Sequence, residues 1–315
     1  MASTALHCKR QEPLAYQCRS LIEPAHARKQ TVLPITYDPT RAALYTPAKR
    51  STLFRAGQNY SVLELALEAA RLAYVGAERS LSERERLTAA LYSVGFGAPE
   101  LFSDSATGAQ GYGAYRADDG MALVAFRGTQ PDDLFDLATT LQWHSVPWTE
   151  SAGRVHAGFA QSARAVMPDV QKWLSITDSN RRTLILTGHS LGGAMATLIA
   201  TVCRPDRLIT LGSPRIGDQA FSATLAGIEH TRLVDCCDVV TMLPPKIPGY
   251  THIAPMTYIT RDGKLVADPS SDLVAEDRSK ARAEYLTEHA WKSGNVLIRD
   301  LADHAPINYL RAFFS

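Results

Sequence analysis

Short apolar runs alternate with amphipathic segments along this chain from Met121 onward. Four runs rich in aliphatic residues predict buried strands, at 121–126, 183–187, 207–211 and 231–236. Apolar residues recur at helical spacing between Phe159 and Trp173, and small apolar residues fill the segment from Leu191 to Cys203, so we predict a helix in each. Strands that alternate with helices favour a mainly parallel sheet covered on both faces. The pattern therefore predicts an α/β fold.

The region before residue 61 has a different character. It contains five prolines and little periodicity, so we predict an irregular N-terminal extension over residues 1–60 that either wraps around the body or is partly disordered. Ser61-Val62-Leu63-Glu64 then has the form of a helix capping box, and residues 82–91 predict a second short helix. We therefore expect the regular fold to begin near Ser61 and to form one domain over residues 61–315.

Charge also separates these two parts. Residues 1–60 hold nine Lys/Arg against three Asp/Glu, whereas the remaining residues hold 24 against 29. A basic arm could touch anionic lipid head groups or nucleic acid. It lacks the aromatic and basic pattern of nucleic-acid binding, so we interpret it as a solvated extension and predict no nucleic-acid partner.

Composition narrows the class of protein. The 315 residues are 45% hydrophobic and 21% charged, enough to bury a sizeable core. No apolar run approaches the roughly 18 residues of a membrane span, and the first residues lack the apolar segment of a secretory signal peptide. The compartment is left open between the cytoplasm and export without such a peptide.

The cysteines suggest neither a metal site nor a disulfide framework. The chain has five, an odd number, and none has metal-ligand spacing. Cys236 and Cys237 are adjacent on a predicted strand, so their side chains should point to opposite faces. We expect free thiols, and we predict no metal.

A candidate nucleophile lies between the strand at 183–187 and the helix that begins near Leu191. Gly188-His189-Ser190-Leu191-Gly192-Gly193 matches G-x-S-x-G in the strand-turn-helix context that gives this motif its meaning. Glycine at both ends lets strand and helix approach while Ser190 adopts a strained backbone. The turn exposes the hydroxyl at the carboxyl edge of the sheet and makes the N–H of Leu191 the natural oxyanion donor. The alternative is a glycine-rich helix start capped by Ser190.

From about Leu123 to Leu310 the chain resembles the class 3 lipase family, which includes the fungal triacylglycerol lipases. Six ordered motifs carry this resemblance: Phe126-Arg127-Gly128-Thr129, His156-Ala157-Gly158-Phe159, Gly188 to Gly193, Gly212-Ser213-Pro214-Arg215-Ile216-Gly217, Asp238 to Pro245, and Asp303-His304. The resemblance implies an α/β-hydrolase fold and a Ser-Asp-His triad that needs no cofactor.

The resemblance also implies the acid and the base. The family's acid opens an Asp-x-Val segment ahead of a Leu-Pro-Pro turn, which here is Asp238. Asp235 is the rival, but it lies within the strand end, whereas Asp238 lies just beyond it, where loops carry function. The family's base lies in a loop before the last helix, which implies His304. His252 corresponds to a second recurrent histidine, for which a structural role is implied.

The second oxyanion donor is implied by the loop after the strand at 121–126. The resemblance assigns it to Thr129, whose N–H and hydroxyl can both point at the oxyanion; a plain turn threonine is the alternative. Arg127 and Asp136 are interpreted as scaffold, and His156 and His189 as braces for loops around the site.

Residues 130–154 occupy the position of family lids. Apolar and aromatic residues there are interspersed with aspartates: Leu134, Phe135, Leu137, Leu141, Trp143, Val146 and Trp148. Such a segment could cover the site in water and open at a lipid interface. The alternative is an aromatic segment packed in the core.

Together these features predict a serine lipase that hydrolyses acylglycerol esters through an acyl-enzyme, with a lipid or ester substrate as its partner. Phospholipase A1 or a general carboxylesterase is an alternative with the same chemistry. A catalytically silent α/β-hydrolase used as a binding module is the alternative from another class. Fluorophosphonate labelling of Ser190 discriminates the enzyme from the silent module.

Overall fold

The structure is a computed structural model that describes residues 34–129, 144–246 and 248–314. Its strands are β1 (Glu100–Ser103), β2 (Gln110–Arg116), β3 (Met121–Phe126), β4 (Ser145–Pro147), β5 (Arg154–His156), β6 (Thr183–His189), β7 (Arg207–Leu211), β8 (Glu229–Asp235), β9 (Met256–Ile259) and β10 (Leu265–Ala267). Its α-helices are α1 (Arg41–Tyr45), α2 (Val62–Leu72), α3 (Leu81–Tyr92), α4 (Ala157–Thr177), α5 (Leu191–Cys203), α6 (Gln219–Ala223), α7 (Ser271–Glu288), α8 (Arg299–Ala302) and α9 (Pro306–Leu310).

Eight strands of the described chain form one sheet, in the order β1-β2-β3-β6-β7-β8-β9-β10. The five strands from β3 to β9 run parallel, while β1, β2 and β10 add antiparallel edges. β4 and β5 pair separately. This mainly parallel sheet confirms the predicted fold class.

Helices cover both faces of the sheet, which explains the continuous apolar character of β3. Leu123 and Ala125 belong to the core on the face of α2, whereas Val124 and Phe126 belong to the core on the face of α4 and α5. Alternate residues of a strand point to opposite faces, so a strand buried on both sides is apolar throughout. The predicted strands and helices in this region are therefore confirmed, with small differences at their ends.

Residues 34–60 differ from the irregular arm that was predicted. Helix α1 begins at Arg41, and Leu44 and Phe54 are buried in the core beside α2. A buried ion pair on α2 holds this segment, because Glu68 accepts the Leu53 N–H at 2.8 Å and its partner Arg71 donates to the Pro47 carbonyl at 2.8 Å. The expectation that regular structure begins near Ser61 was therefore wrong. The boundary at residue 60 stays a prediction, and this packing argues for one nearer to Pro34.

The parallel strands end at one edge of the sheet. Phe126 pairs with Gly188, and Leu211 pairs with both His189 and Leu233. The residues that follow β3, β6, β7 and β8 therefore lie at the same carboxyl edge, where α/β sheets bind ligands.

Candidate active site

Ser190 occupies a sharp turn between β6 and α5. Its backbone has φ 59° and ψ −128°, a strained conformation for a residue with a side chain. A methyl group on Gly188 would collide with Gly192, and one on Gly192 would collide with the Phe126 carbonyl. The two glycines thus allow the strand, the helix and the neighbouring loop to close around Ser190, as the motif predicts.

Asp238 and His304 are joined by a hydrogen bond at the same edge. His304 Nδ1 lies 2.8 Å from Asp238 Oδ2, and both side chains are almost fully buried. The other oxygen of Asp238 accepts the Val240 N–H at 2.8 Å, and the Tyr309 hydroxyl donates to Oδ2. These contacts hold the carboxylate in one orientation and direct Nδ1–H of the imidazole toward it.

The two atoms that would react in the predicted chemistry are Ser190 Oγ and His304 Nε2. Within residues 34–129, 144–246 and 248–314, neither Ser190 Oγ nor His304 Nε2 has a hydrogen-bond partner, although both atoms are buried. The His304 ring lies 4.5 Å from the ring of His189, the residue before Ser190. The structure therefore brings an oriented imidazole, with its second nitrogen unoccupied, to the nucleophile turn.

Asp235, the rival acid, has a different partner. Its Oδ1 accepts a hydrogen bond from Arg311 Nη2 at 2.9 Å, and both side chains are buried. Burial raises the pKa of Asp235, and Arg311 opposes that rise. Asp235 therefore forms an ion pair with Arg311, whereas Asp238 is the aspartate that bonds to His304.

The loop after β3 packs directly on the nucleophile turn. A methyl group on Gly128 would lie 2.7 Å from the His189 carbonyl and 2.9 Å from Ser190 Cβ. Thr129 follows Gly128 and is half-buried, and Leu191 is the first residue of α5. The first N–H groups of a helix have no partner within it. Both predicted oxyanion donors thus flank Ser190.

The other singled-out histidines have structural contacts. His189 Nε2 lies 2.8 Å from the His304 carbonyl, so His189 braces the base loop. His252 is largely buried, and this burial, followed by the charges of Arg232 and Arg215, lowers its pKa to about 2. His156 packs on Phe159 with ring centroids 4.3 Å apart. These contacts fit the bracing and structural roles expected of all three.

Three residues at the site were missed by sequence reasoning: Tyr74, Gly212 and Tyr309. A methyl group on Gly212 would lie 2.8 Å from Asp238 Oδ2 and 3.1 Å from His304 Nδ1. The glycine of the Gly212-Ser213-Pro214-Arg215 motif was visible as a signal, but its contact with the Asp238–His304 bond was not. The two tyrosines have no local motif that points to the site.

Gly212→Ala should lower kcat by about a hundredfold or more, because displacement of catalytic groups by about 1 Å can cost that much. Gly227→Ala is the matched control, since Gly227 has a positive φ of 83° but its added methyl would meet nothing nearer than Arg204 Nη2 at 3.9 Å. Alanine is strained at both positions, because both glycines have a positive φ. Only the methyl group of Gly212→Ala contacts the candidate site. Equal kcat values for the two folded variants would contradict this role of Gly212.

The adjacent cysteines do not point to opposite faces. Strand β8 ends at Asp235, and the chain turns at Cys236, which brings the two Sγ atoms to 3.7 Å. The prediction of opposite faces was therefore wrong, because it extended the strand one residue too far. The described cysteines, Cys203, Cys236 and Cys237, are free thiols, as expected.

One group of described residues approaches metal-ligand geometry. The ligand atoms of Cys236, Cys237 and Asp303 lie within 4.8 Å of one another. However, Asp303 already accepts the Cys237 N–H at 2.8 Å and the Tyr37 hydroxyl at 2.7 Å, and pairs with Arg299 at 3.2 Å. A cation would compete with that guanidinium, so we assign no metal here.

The predicted lid falls largely outside the described residues. Residues 130–143, which include Phe135, Asp136 and Trp143, are among those that the structure does not describe. Trp148 is only 1% exposed, and its indole N–H donates to Thr201 Oγ1 at 2.9 Å. Trp148 is thus fixed scaffold. Any lid over the candidate site must therefore be formed by residues that precede Trp148.

Among the helices that the structure describes, none combines the length and hydrophobicity needed to cross a membrane.

Comparison with known proteins gives consistent matches. Residues 123–247 match the family model described as Lipase (class 3). The chain is 36% identical over 110 residues to secreted mono- and diacylglycerol lipase 1 of Fusarium solani, covering 32% of this chain and 33% of that protein. It is 32% identical over 178 residues to secreted mono- and diacylglycerol lipase A of Penicillium cyclopium, covering 54% of this chain and 58% of that protein. The chain thus spans less than two thirds of either relative.

Solved structures agree on the fold. The lipase from Rhizopus microsporus var. chinensis superposes with a TM-score of 0.55 at 20% identity, covering 87% of this chain and 96% of that one. The Lip2 lipase from Yarrowia lipolytica gives a TM-score of 0.52 at 21% identity, covering 66% and 82%. The ordered motifs, the sheet topology and these matches lead to one conclusion: the chain has the α/β-hydrolase fold, and over residues 123–247 it is similar to the class 3 lipases.

Proposed function

We propose that this protein is a serine hydrolase that cleaves the carboxylic esters of acylglycerols. One observation carries the proposal: the strained Ser190 and the unoccupied Nε2 of His304 lie at one sheet edge, beside a 2.8 Å bond from His304 to Asp238. A serine hydroxyl needs a base oriented by a third group to act as a nucleophile at neutral pH. These three residues would supply that arrangement.

In the acylation step, Ser190 Oγ attacks the ester carbonyl carbon while His304 Nε2 takes its proton. Asp238 stabilises the imidazolium that forms, and the N–H groups of Thr129 and Leu191 stabilise the oxyanion of the tetrahedral intermediate. The bond between the carbonyl carbon and the alcohol oxygen then breaks. His304 donates its proton to that oxygen, so the alcohol leaves and an acyl-Ser190 ester remains.

In the deacylation step, water attacks the acyl-Ser190 ester, and His304 again accepts a proton. Collapse of the second tetrahedral intermediate breaks the bond to Ser190 Oγ, which recovers its proton from His304. A free carboxylic acid is released, and the enzyme returns to its starting state. The chemistry uses only side chains and backbone groups of this chain, together with water.

The substrate class is supported by relatives rather than by a described pocket. The proteins from Fusarium solani and Penicillium cyclopium are named mono- and diacylglycerol lipases. Acylglycerols are therefore the first substrates to test. Phospholipids and simple esters differ from them only in the head-group and acyl regions, so they are the natural comparison substrates.

The test is hydrolysis by the purified protein of monoolein, diolein, emulsified tributyrin, phosphatidylcholine and p-nitrophenyl butyrate, with fluorophosphonate labelling of Ser190 carried out on a separate sample. We expect labelling, and we expect the acylglycerols to be cleaved faster than the phospholipid. Preference for phosphatidylcholine would indicate a phospholipase, and cleavage of the soluble ester alone would indicate a general esterase. Absence of both labelling and hydrolysis would indicate a silent module.

The lid is a prediction from sequence. Its aromatic residues Phe135 and Trp143 lie outside the described residues. Closing such a cover hides apolar surface that water penalises at roughly 25 cal/mol per Å², and a lipid interface favours the open form. We expect activity on tributyrin to rise sharply where the substrate begins to aggregate. The double replacement of Phe135 and Trp143 with Ser should weaken that rise, and a smooth hyperbola for the unmodified protein would exclude a lid.

A further inference from the structure

Tyr74 lies in the single turn Ala73–Val75 that follows α2, beneath the nucleophile turn. Helix α2 packs against β6, where the Thr187 hydroxyl donates to the Ala66 carbonyl at 3.2 Å. The ring of Tyr74 lies 5.8 Å from the ring of His189. This packing places a phenolic hydroxyl below Ser190, although Tyr74 has no place in the proposed reaction.

The hydroxyl of Tyr74 joins two parts of the site. It lies 2.7 Å from His189 Nδ1, and it packs so closely on Gly128 that a methyl group added there would collide with it. On its far side, His189 Nε2 lies 2.8 Å from the His304 carbonyl. Two hydrogen bonds therefore connect Tyr74 through His189 to the loop that carries His304, and a close packing contact connects Tyr74 to the loop after β3.

The direction of these bonds follows from elementary chemistry. A carbonyl oxygen only accepts, so Nε2 of His189 must carry the proton. Burial, followed by the neighbouring His304, lowers the pKa of His189, so the ring stays neutral and its Nδ1 is an acceptor. Tyr74 must then donate to Nδ1. The direction of each hydrogen bond from Tyr74 through His189 to His304 is therefore defined.

The contact with Gly128 is close enough to set the position of the loop. A methyl group on Gly128 would collide with the Tyr74 hydroxyl and lie 2.9 Å from Ser190 Cβ. Gly128 shares a peptide group with Thr129, whose N–H is the proposed oxyanion donor. A change in the Gly128–Tyr74 contact therefore moves or loosens that donor.

We propose that Tyr74 is a positioning residue, which fixes the oxyanion loop against Ser190 and, through His189, links it to the base loop. The inference rests on the proposed function, since it assigns Tyr74 a part in the same reaction. Its effect should appear in the transition state, where the oxyanion forms, and not in substrate binding. Its action is indirect, because its hydroxyl donates to His189 and packs on Gly128.

The chain offers a matched control. Tyr112 is a buried tyrosine on β2 whose hydroxyl donates to the Ala69 carbonyl of α2 at 3.1 Å. Tyr112→Phe removes one buried hydroxyl that bonds to α2, the helix that precedes Tyr74, without touching the site. Loss of one ordinary hydrogen bond lowers the stability of a domain only modestly, so both phenylalanine variants should fold.

The test is kcat and KM for Tyr74→Phe and Tyr112→Phe on p-nitrophenyl butyrate, with the affinity of each for a boronic acid that mimics the tetrahedral intermediate. We expect Tyr74→Phe to lower kcat by about 10- to 100-fold, since losing one oxyanion donor outright costs 100- to 1,000-fold. KM should change little, and boronate affinity should fall with kcat. Tyr112→Phe should keep all three values.

A double-mutant cycle with His189→Asn tests whether Tyr74 and His189 act together through their hydrogen bond. If they do, Tyr74→Phe should add little to the loss already caused by His189→Asn. Unchanged kcat in Tyr74→Phe, or a rise in KM alone, would overturn the positioning role while leaving the proposed function intact. Inactivity of the unmodified protein and of Tyr112→Phe would instead overturn the proposed function.

Discussion

Ser190→Ala is expected to lower kcat by about 10⁶-fold, because triad members act as a unit and the residual rate comes from the oxyanion hole and binding. Alanine retains the Cβ of serine, so the variant should keep the strained turn at φ 59° and its tight contacts with the neighbouring loop. Its thermal unfolding should therefore match that of the unmodified protein. The measurement is steady-state turnover of tributyrin, together with fluorophosphonate labelling.

Ser162→Ala is the matched control for this prediction. Ser162 is another buried serine, on α4, and it lies among residues of the core. The Ser162→Ala protein should keep the turnover and the fluorophosphonate labelling of the unmodified protein. A Ser190→Ala protein that is still labelled, or that keeps near-normal turnover, would place the nucleophile elsewhere.

Asp238→Asn is expected to lower kcat by about 10⁴-fold, since an amide in place of this carboxylate favours the wrong imidazole tautomer. Asp238 Oδ2 accepts from both His304 Nδ1 and the Tyr309 hydroxyl, and an amide nitrogen at that position would face two donors. The imidazole would then lose its orientation toward Ser190. The measurement is kcat per folded molecule, with circular dichroism as the check on folding.

Asp235→Asn provides the contrast, because the two aspartates lie three positions apart but have different partners. Asp235 is paired with Arg311, so its loss leaves a buried guanidinium without its counter-charge and should destabilise the fold by up to about 3 kcal/mol. The melting temperature should fall while kcat of the folded protein stays near normal. Equal losses of kcat in the two folded variants would remove the basis for choosing Asp238 as the acid.

The core strands of the fold were predictable because their signal is local. A parallel strand buried on both faces is a continuous apolar run, and β3 and β7 begin and end where such runs do. β1 was missed because it has only four residues, and β2 was missed because its glycines obscure the strand pattern. Gly111 and Gly113 are required by close packing, since added methyl groups would lie 2.7 Å from the Ala125 carbonyl and 2.8 Å from the Trp173 ring. That requirement comes from neighbouring elements, which no local pattern contains.

The candidate site likewise contains residues that were predictable from local sequence and residues that only the structure brings together. The sequence by itself determined the nucleophile turn, since strand, glycine, serine and helix are consecutive, and the order of motifs led to Asp238, His304 and Thr129. Only the tertiary structure decided that residues 34–60 join the core, that Gly212 abuts the Asp238–His304 bond, and that Tyr74 and Tyr309 reach the site. Tyr74 and His189 are 115 positions apart, and Tyr309 and Asp238 are 71 apart. Such contacts exist only once the sheet brings its strand ends to one edge, because hydrogen bonding and packing act through distance in space and leave no periodic trace along the chain.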